Sequence, residues 1–320
     1  MLVLSAKDMS GLVSRKEAVD AMEEAFRIQE SGSFRMPDRM HVDFAENTLL
    51  LMPAFMDSVF STKLVSLFPR NKEKGLPPLN GTVLLNDGKN GVPLALLNGA
   101  WVTALRTGAV GGTAMRHLVG KKEVRAGIIG AGTQGIQQAL FACSEMNVNK
   151  MVVYDPDPQR IEIFTTQLEQ ALPGSGLIHA ENPEEVIREC DVVVTASNSE
   201  DPLFSCQGQE MGPTTFIAIG SYKPHMQELP DEIYHQAVQV FIDTPLAMQE
   251  SGDLVRPIEN GVLNDSRIFL LGELITGRVQ IEDQPVKVFK SVGMALFDLV
   301  MAHLLYERAL EKGSGLRIEM

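Results

Sequence analysis

Apolar and polar positions recur in two rhythms along this chain, and the change of rhythm divides it. From Ser14 to Gln29, Val19, Met22, Ala25 and Phe26 fall three or four positions apart, the spacing of one helix face. Ser14 with Glu17 three residues on predicts a capped start for that helix. Short runs with strand character follow at Met40–Phe44, Thr48–Met52, Phe60–Phe68, Thr82–Asn86 and Pro93–Asn98. Turn signals separate them: Pro37-Asp38, Glu46-Asn47, Asp57-Ser58, Gly75-Leu76-Pro77-Pro78 and Asn86-Asp87-Gly88. The pattern predicts a mostly antiparallel sheet with helices, an α+β layout, and a helix from Trp101 to Leu118 that leads out of it.

From Lys121 to about Gln284 strand and helix patterns alternate. Strands are expected at Ala126–Ile129, Met151–Tyr154, Leu177–His179, Val192–Thr195, Phe216–Ile219 and Val240–Asp243. Such alternation predicts a doubly wound parallel sheet with right-handed crossovers. Val286 to Leu310 then reads as one long apolar-periodic helix, expected to return and pack on the first domain. The expected fold class is α/β: a Rossmann domain, residues 119–285, inserted into an α+β substrate-binding and dimerisation domain made of residues 1–118 and 286–320.

The first βα turn of the alternating region carries chemistry. The apolar run Ala126–Ile129 enters G-A-G-T-Q-G, with Gly130, Gly132, Thr133, Gln134 and Gly135, and a second apolar run ends on Asp155, twenty residues after the last glycine. Gly130 suits a tight turn, Gly132 a close approach to a pyrophosphate, and Gly135 close packing of helix on strand. The helix start offers N–H groups and a positive dipole end to phosphates. Asp155 is expected to accept hydrogen bonds from both adenosine ribose hydroxyls and to repel a 2′-phosphate. NAD is therefore the expected cofactor, with NADP left open by the nearby Arg160.

Bulk properties narrow the partners. A net charge of −13 over 320 residues argues against nucleic acid or an anionic membrane. No apolar run approaches the ~18 residues of a membrane span. The three cysteines, Cys143, Cys190 and Cys206, match no zinc spacing, and the six histidines form no metal-ligand pattern. No metal is expected, and a reducing, cytoplasmic compartment is. In so acidic a chain Arg39, Lys63 and Arg106 stand out, because they sit in strand-like or apolar surroundings. Arg can clamp a carboxylate with two parallel hydrogen bonds and Lys adds a point charge, so together they suggest a small carboxylic acid. For each alone, a surface ion pair or a snorkelling side chain is the plainer reading. His225, Ser221 and Asp298 are further candidates. Ser221 lacks the setting of a nucleophile, and Asp298 faces either the first domain's cleft or solvent.

Five segments carry a family resemblance: L-M-P-A at 51–54, T-A-L-R-T-G-A-V at 103–110, G-I-I-G-A-G-T-Q-G at 127–135, A-I-G-S-Y-K-P-H-M-Q-E-L at 218–229 and K-S-V-G-M-A-L-F-D at 290–298. In that order they resemble the ornithine cyclodeaminase/mu-crystallin family over nearly the whole chain. The resemblance implies NAD(P) binding and a homodimer formed through the non-Rossmann domain. It implies that Arg39, Lys63 and Arg106 hold a substrate carboxylate, with Lys63 and Arg106 the catalytic candidates. Met52 is then near the reacting carbon, and Thr107 and Gly108 lie against the cofactor. Further cofactor candidates are Thr195, Ala196, Ser197, Gly220 and Val292.

Two positions depart from the cyclodeaminase pattern. Tyr222 stands where ornithine cyclodeaminases have an aspartate that contacts the amine, and Leu50 where they have a glutamate for the side-chain amine. A buried ammonium without a partner costs several kcal/mol, so a substrate with a carboxylate and an apolar ring is expected. The resemblance then implies an NAD(P)H-dependent reductase of cyclic imino acids, Δ1-pyrroline-2-carboxylate or Δ1-piperideine-2-carboxylate. Ornithine cyclodeaminase, an alanine or N-alkyl amino-acid dehydrogenase, and a non-catalytic mu-crystallin-like binding protein remain alternatives.

Overall fold

A computed structural model of the chain describes every residue except 122, 173, 175, 209 and 320. The chain divides into two compact units, Met1–Arg106 together with Met294–Met320, and Thr107–Gly293.

The first unit opens with β1 (Leu2–Leu4), α1 (Ala6–Met9) and α2 (Arg15–Ser31). The Ser14 hydroxyl accepts the Glu17 N–H and the Glu17 carboxylate accepts the Ser14 N–H, the capping box its sequence predicts. Next come β2 (Met40–Phe44), β3 (Asn47–Phe55), β4 (Val59–Leu67), β5 (Leu79–Asp87) and β6 (Pro93–Asn98). β3 runs through Pro53, further than its sequence suggested. It can do so because β2 pairs only as far as Leu51, so no neighbour on that side needs the missing N–H. Helix α3 (Gly99–Leu118) follows, its start held by the Asn98 side chain accepting the Trp101 N–H.

The second unit contains β7 (Glu123–Ile129), α4 (Thr133–Glu145), β8 (Asn147–Tyr154), α5 (Pro158–Ala171), β9 (Leu177–His179), α6 (Pro183–Glu189), β10 (Val192–Thr195) and β11 (Thr214–Ala218). It continues with α7 (Asp231–Gln236), β12 (Val240–Ile242), α8 (Ala247–Glu250), α9 (Gly252–Glu259), β13 (Ile268–Leu270), α10 (Leu271–Ile275) and β14 (Val286–Lys290). Among the described residues its sheet has eight strands in the order β13-β12-β14-β11-β10-β7-β8-β9, all parallel. Strand order reverses beside β7, the switch point of a doubly wound sheet.

The chain then returns to the first unit with α11 (Ala295–Lys312) and β15 (Leu316–Arg317). The first sheet has the order β15-β1-β6-β5-β4-β3-β2. Its ladders are antiparallel except between β1 and β6. Helix α11 packs on β3, β4, β5 and α2, and the rings of Phe26 and Phe297 meet edge-on at 4.9 Å. The expected single helix over Val286–Leu310 is corrected here. Residues 286–290 form a strand between β11 and β12, and only Ala295 onward is helical. Val286, Val288 and Phe289 are all buried in the middle of the sheet, and a short run buried on both faces shows no period that separates strand from helix. Gly293, at φ 77°, breaks the chain before the helix begins.

In the second unit, the residues of α3 from Thr107 onward lie on α4 with no room for side chains. A Cβ on Gly108 would fall 2.5 Å from the Phe141 ring, and one on Gly111 would fall 1.9 Å from Gln138 Oε1. Phe141 is fully buried and has nowhere to move. Gly108→Ala should therefore lower stability by about 1–3 kcal/mol. Thermal unfolding of Gly108→Ala, Phe141→Leu and the double variant tests this: the double should recover much of the loss, and a strictly additive pair would refute the contact.

Candidate functional site

The register of the parallel sheet gathers one set of residues. Tyr154, Ile129, Thr195, Ala218, Lys290, Ile242 and Leu270 stand in one row across the carboxyl ends of β8, β7, β10, β11, β14, β12 and β13. The segments that leave this row hold Asp155, Gly130, Ala196, Gly220, Ser291 and Asp243. An open α/β sheet binds ligands at this edge, at the switch point. The sequence candidates Gly130, Asp155, Thr195, Ala196, Ser197, Gly220 and Val292 are brought to it.

The glycine loop has the shape its sequence implied. Gly130 has φ 104°, and a Cβ there would fall 2.6 Å from the Ala196 carbonyl. A Cβ on Gly135 would fall 1.9 Å from the Gly130 carbonyl, so the helix can pack on the turn only with glycine. Gly132 differs: nothing lies within 4 Å of the position its Cβ would take. It is also the N-cap of α4 and offers no side chain to the first helical turn. Open space, an uncapped helix start and the buried, unpartnered Gln134 Oε1 together fit a pyrophosphate resting on Gly132, Thr133 and Gln134.

Asp155 closes the loop from below. One of its oxygens accepts the Ala131 N–H at 2.8 Å and the other the Asp157 N–H at 2.9 Å. Each keeps a second lone pair for a ribose hydroxyl. Arg160, largely in solvent, lies 3.8 Å from Asp155 and 3.6 Å from Asp157, so its charge is already matched by two acids.

Two buried carboxylates hold the remaining segments, and neither was singled out from sequence. Glu228 accepts from Thr195 Oγ1, Ser197 N, Ser197 Oγ, Gly220 N and Ser221 N, at 2.7–3.2 Å. Asp243 accepts from Ser291 Oγ and from the N–H groups of Val292 and Gly293, at 2.6–3.1 Å. The polar groups of Thr195 and Ser197 are thus turned to Glu228. Glu228 lies in a loop, within the segment M-Q-E-L, where no local pattern marks it. Ser221, weighed as a nucleophile, donates to the Met226 carbonyl and contacts Ser251.

In the first unit the register of the antiparallel sheet sets Lys63 and Arg39 on one face, and α3 brings Arg106 to Asp298 beside them. Met52 pairs with Lys63 across β3 and β4, and Leu50 lies two residues from Met52 on the same face. Arg39 precedes the Met40–Leu51 pair and so falls level with Met52. Helix α11 covers this face and carries Asp298, which is wholly buried. Asp298 Oδ2 lies 2.7 Å from Lys63 Nζ, and Oδ1 lies 3.2 Å from Arg106 Nε. Lys63 Nζ is also 3.5 Å from Thr103 Oγ1.

Two cations against one buried acid leave a net positive charge in this cluster, and Arg39 is near enough to act on Lys63. Burial pushes the Lys63 ammonium down to about 8, Arg106 and Arg39 push the same way, and Asp298 opposes them. Sequence left the place of Asp298 open, because the apolar period of α11 says which side is buried but not what that side meets.

The other candidates are less engaged. Tyr222 is half-exposed, with Lys223 Nζ 5.8 Å from its ring centre. His225 is exposed, 4.0 Å from Glu200. Thr107 is buried, its carbonyl accepting Gln138 Nε2. Among the described residues no cluster of His, Cys, Asp and Glu is arranged to hold a metal, and no helix is long and apolar enough to cross a membrane. A cavity of about 580 Å³ lies at the amino-terminal ends of β7, β10 and β11, lined by Lys121, Arg125, Asp191 and Thr214 among others. It is at the opposite edge from the glycine loop, and Asp191 already pairs with Lys121 and Arg125.

Known proteins resemble this chain in sequence and fold. A Δ1-pyrroline-2-carboxylate reductase from Bacillus cereus is 35% identical, with 100% of both chains covered. The structure of Thermococcus litoralis Δ1-pyrroline-2-carboxylate reductase in complex with NADH and L-proline is 32% identical, with a TM-score of 0.91 over 99% of this chain and 100% of that one. An archaeal alanine dehydrogenase dimer with bound NAD is 30% identical, with a TM-score of 0.91 over 100% of this chain and 99% of that one. The model of the ornithine cyclodeaminase/mu-crystallin family matches residues 1–313, and the chain belongs to that family.

Proposed function

We propose that this protein is an NAD(H)-dependent reductase of cyclic imino acids, reducing Δ1-pyrroline-2-carboxylate to proline and, on the same chemistry, Δ1-piperideine-2-carboxylate to pipecolate. The observation that carries the reading is the buried Lys63–Asp298–Arg106 cluster with its surplus positive charge. Arg106 and Arg39 hold the substrate carboxylate. Lys63, with a pKa near 8, is charged at neutral pH yet gives up a proton readily. It serves the carboxylate and supplies the proton that the imine nitrogen needs as the neighbouring carbon accepts a hydride. When bound, the reduced nicotinamide supplies that hydride. Asp155 favours NADH over NADPH because a 2′-phosphate would meet a carboxylate.

The apolar Leu50 and Met52 beside the cations suit a ring better than a chain bearing an amine. The carboxylate on this face, Asp298, is engaged by two cations and is not offered to an ammonium. Both relatives named as Δ1-pyrroline-2-carboxylate reductases lend the reading further support. A cytoplasmic setting suits the three free cysteines. Burial pushes the Cys190 thiol up to about 12 and the Cys206 thiol up to about 11, so both are poorly reactive.

A homodimer through the first unit belongs to the same reading. The face of its sheet opposite Lys63 carries Met40, Leu51 and Leu64 in one cross-strand row. Met40 and Leu64 there, with Val42 and Phe44, are exposed, an apolar surface of the kind that pairs.

Purified protein should oxidise NADH on addition of Δ1-pyrroline-2-carboxylate and release no ammonia from L-ornithine with NAD. Ammonia from ornithine with a silent imine assay would reverse the assignment. In that assay kcat/KM should fall as pH rises through about 8, where free Lys63 loses its charge. Lys63→Arg should lack this alkaline limb, and an identical limb in that variant would remove Lys63 from the role.

Arg106→Ala should lower kcat/KM by roughly 10- to 150-fold, the worth of a hydrogen bond to a charged group. Folding stability has the opposite pH trend. Between pH 8 and 10.5 unfolded Lys63 binds a proton that the folded residue has released, so its contribution to stability rises with pH there. Denaturant titrations across that range should show the rise in the parent protein and not in Lys63→Met. Light scattering should find a dimer that Leu64→Glu with Met40→Glu converts to monomer; a dimer unmoved by the pair would place the interface elsewhere.

A further inference from the structure

Glu228 is fully buried in the second unit and touches none of the residues proposed to hold substrate. It nonetheless ties together the two segments that leave β10 and β11. Oε1 accepts from Ser197 N and Ser197 Oγ, and Oε2 accepts from Thr195 Oγ1, Gly220 N and Ser221 N. Burial and the neighbouring Asp253 push the Glu228 carboxyl up, and Lys290 and the Ser197 contacts oppose them. Three of its five partners are backbone N–H groups, which can only donate, and the charged form accepts from all five.

Gly220 is shaped around it. A Cβ there would fall 2.5 Å from Glu228 Oε1 and 2.1 Å from the Ser197 carbonyl. Behind Glu228, Asp253 Oδ1 accepts the N–H groups of Glu228 and Leu229, and Asp253 Oδ2 lies 3.0 Å from the buried Lys290 ammonium at the end of β14. Two carboxylates and one ammonium leave one net negative charge beneath the carboxyl ends of β10, β11 and β14. In a doubly wound sheet the adenosine half of a dinucleotide takes the β7–β8 side and the nicotinamide half the other side of the switch point.

We propose that Glu228 is a positioning residue for the nicotinamide half of the cofactor, shaping segments 195–197 and 220–221 and placing beneath them a charge that favours the cationic, oxidised ring over the neutral, reduced one. The inference rests on the dinucleotide reading of the site. A fixed charge in a dry region is felt strongly, whereas loop shape alone would affect both redox forms together.

Binding constants for NAD+, NADH and ADP-ribose, measured by calorimetry on the full chain, separate the cases. In Glu228→Gln the ratio Kd(NAD+)/Kd(NADH) should rise by about fivefold or more, while ADP-ribose binding stays within about twofold of the parent protein. Glu228→Asp, which keeps the charge, should hold the ratio nearer the parent value. Should Glu228→Gln fail to fold, Asp253→Asn takes its place: it removes one charge, leaves the Oδ1 acceptor, and should move the ratio the same way. A ratio unchanged in the folded variant, or loss of ADP-ribose and both nicotinamide forms in proportion, overturns the inference. If the unaltered protein binds neither ADP-ribose nor NADH, the dinucleotide reading itself fails.

Discussion

Where a strand ends inside a protein, its last peptide groups have lost their ladder partners, and burying them unpaired costs free energy. Here one row of parallel strands ends together, and buried acids take up the N–H groups beyond it. Asp155 holds the glycine loop after β7, Glu228 the segments after β10 and β11, Asp243 the turn after β14, and Asp253 the backbone of Glu228 itself. The carboxyl edge of the sheet is therefore stiff before any ligand arrives. A stiff edge binds without the entropy cost of ordering loops.

The first unit applies the same economy to cations. Lys63 lies between strands and a helix, where an ammonium is costly unless paired. Asp298 pairs with it incompletely, because it also serves Arg106. The cluster is stable enough to be buried and still short of one negative charge. On the proposed reading an incoming carboxylate completes it, and a cationic amine makes it worse. In that reading, preference for an acid over an amine follows from the charge count of one buried cluster.

What the sequence disclosed follows from how locally each feature is encoded. The glycine loop, α2 with its capping box and most strands were legible, since each depends on residues a few positions apart. Arg39, Lys63 and Arg106 were noticed as cations out of place in an acidic chain, and family resemblance gave them a purpose. β14 is not separable from a helix in the sequence, because a short strand buried on both faces has no period. Asp298 and Glu228 were hardly visible: each is an acid whose meaning lies in partners far along the chain, 192 residues for Arg106 and Asp298 and 31–33 for Glu228 with Ser197 and Thr195. Pattern reading finds faces and turns, and it does not find which distant face a lone charge will meet.

The interleaving of the first unit also bears on how the protein is made. The sheet with Met52 and Lys63, and Arg106 on α3 after it, leave the ribosome early, but the helix that covers the sheet carries Asp298, 192 residues beyond Arg106. At ~5–20 residues per second, roughly 10–40 s of synthesis separate the two. Through that interval the second unit can complete its own sheet as far as the chain has emerged. The first waits with an apolar face and an unmatched ammonium open to water. The nascent chain is thus most exposed to aggregation in its oldest part, and holdase chaperones should meet it there.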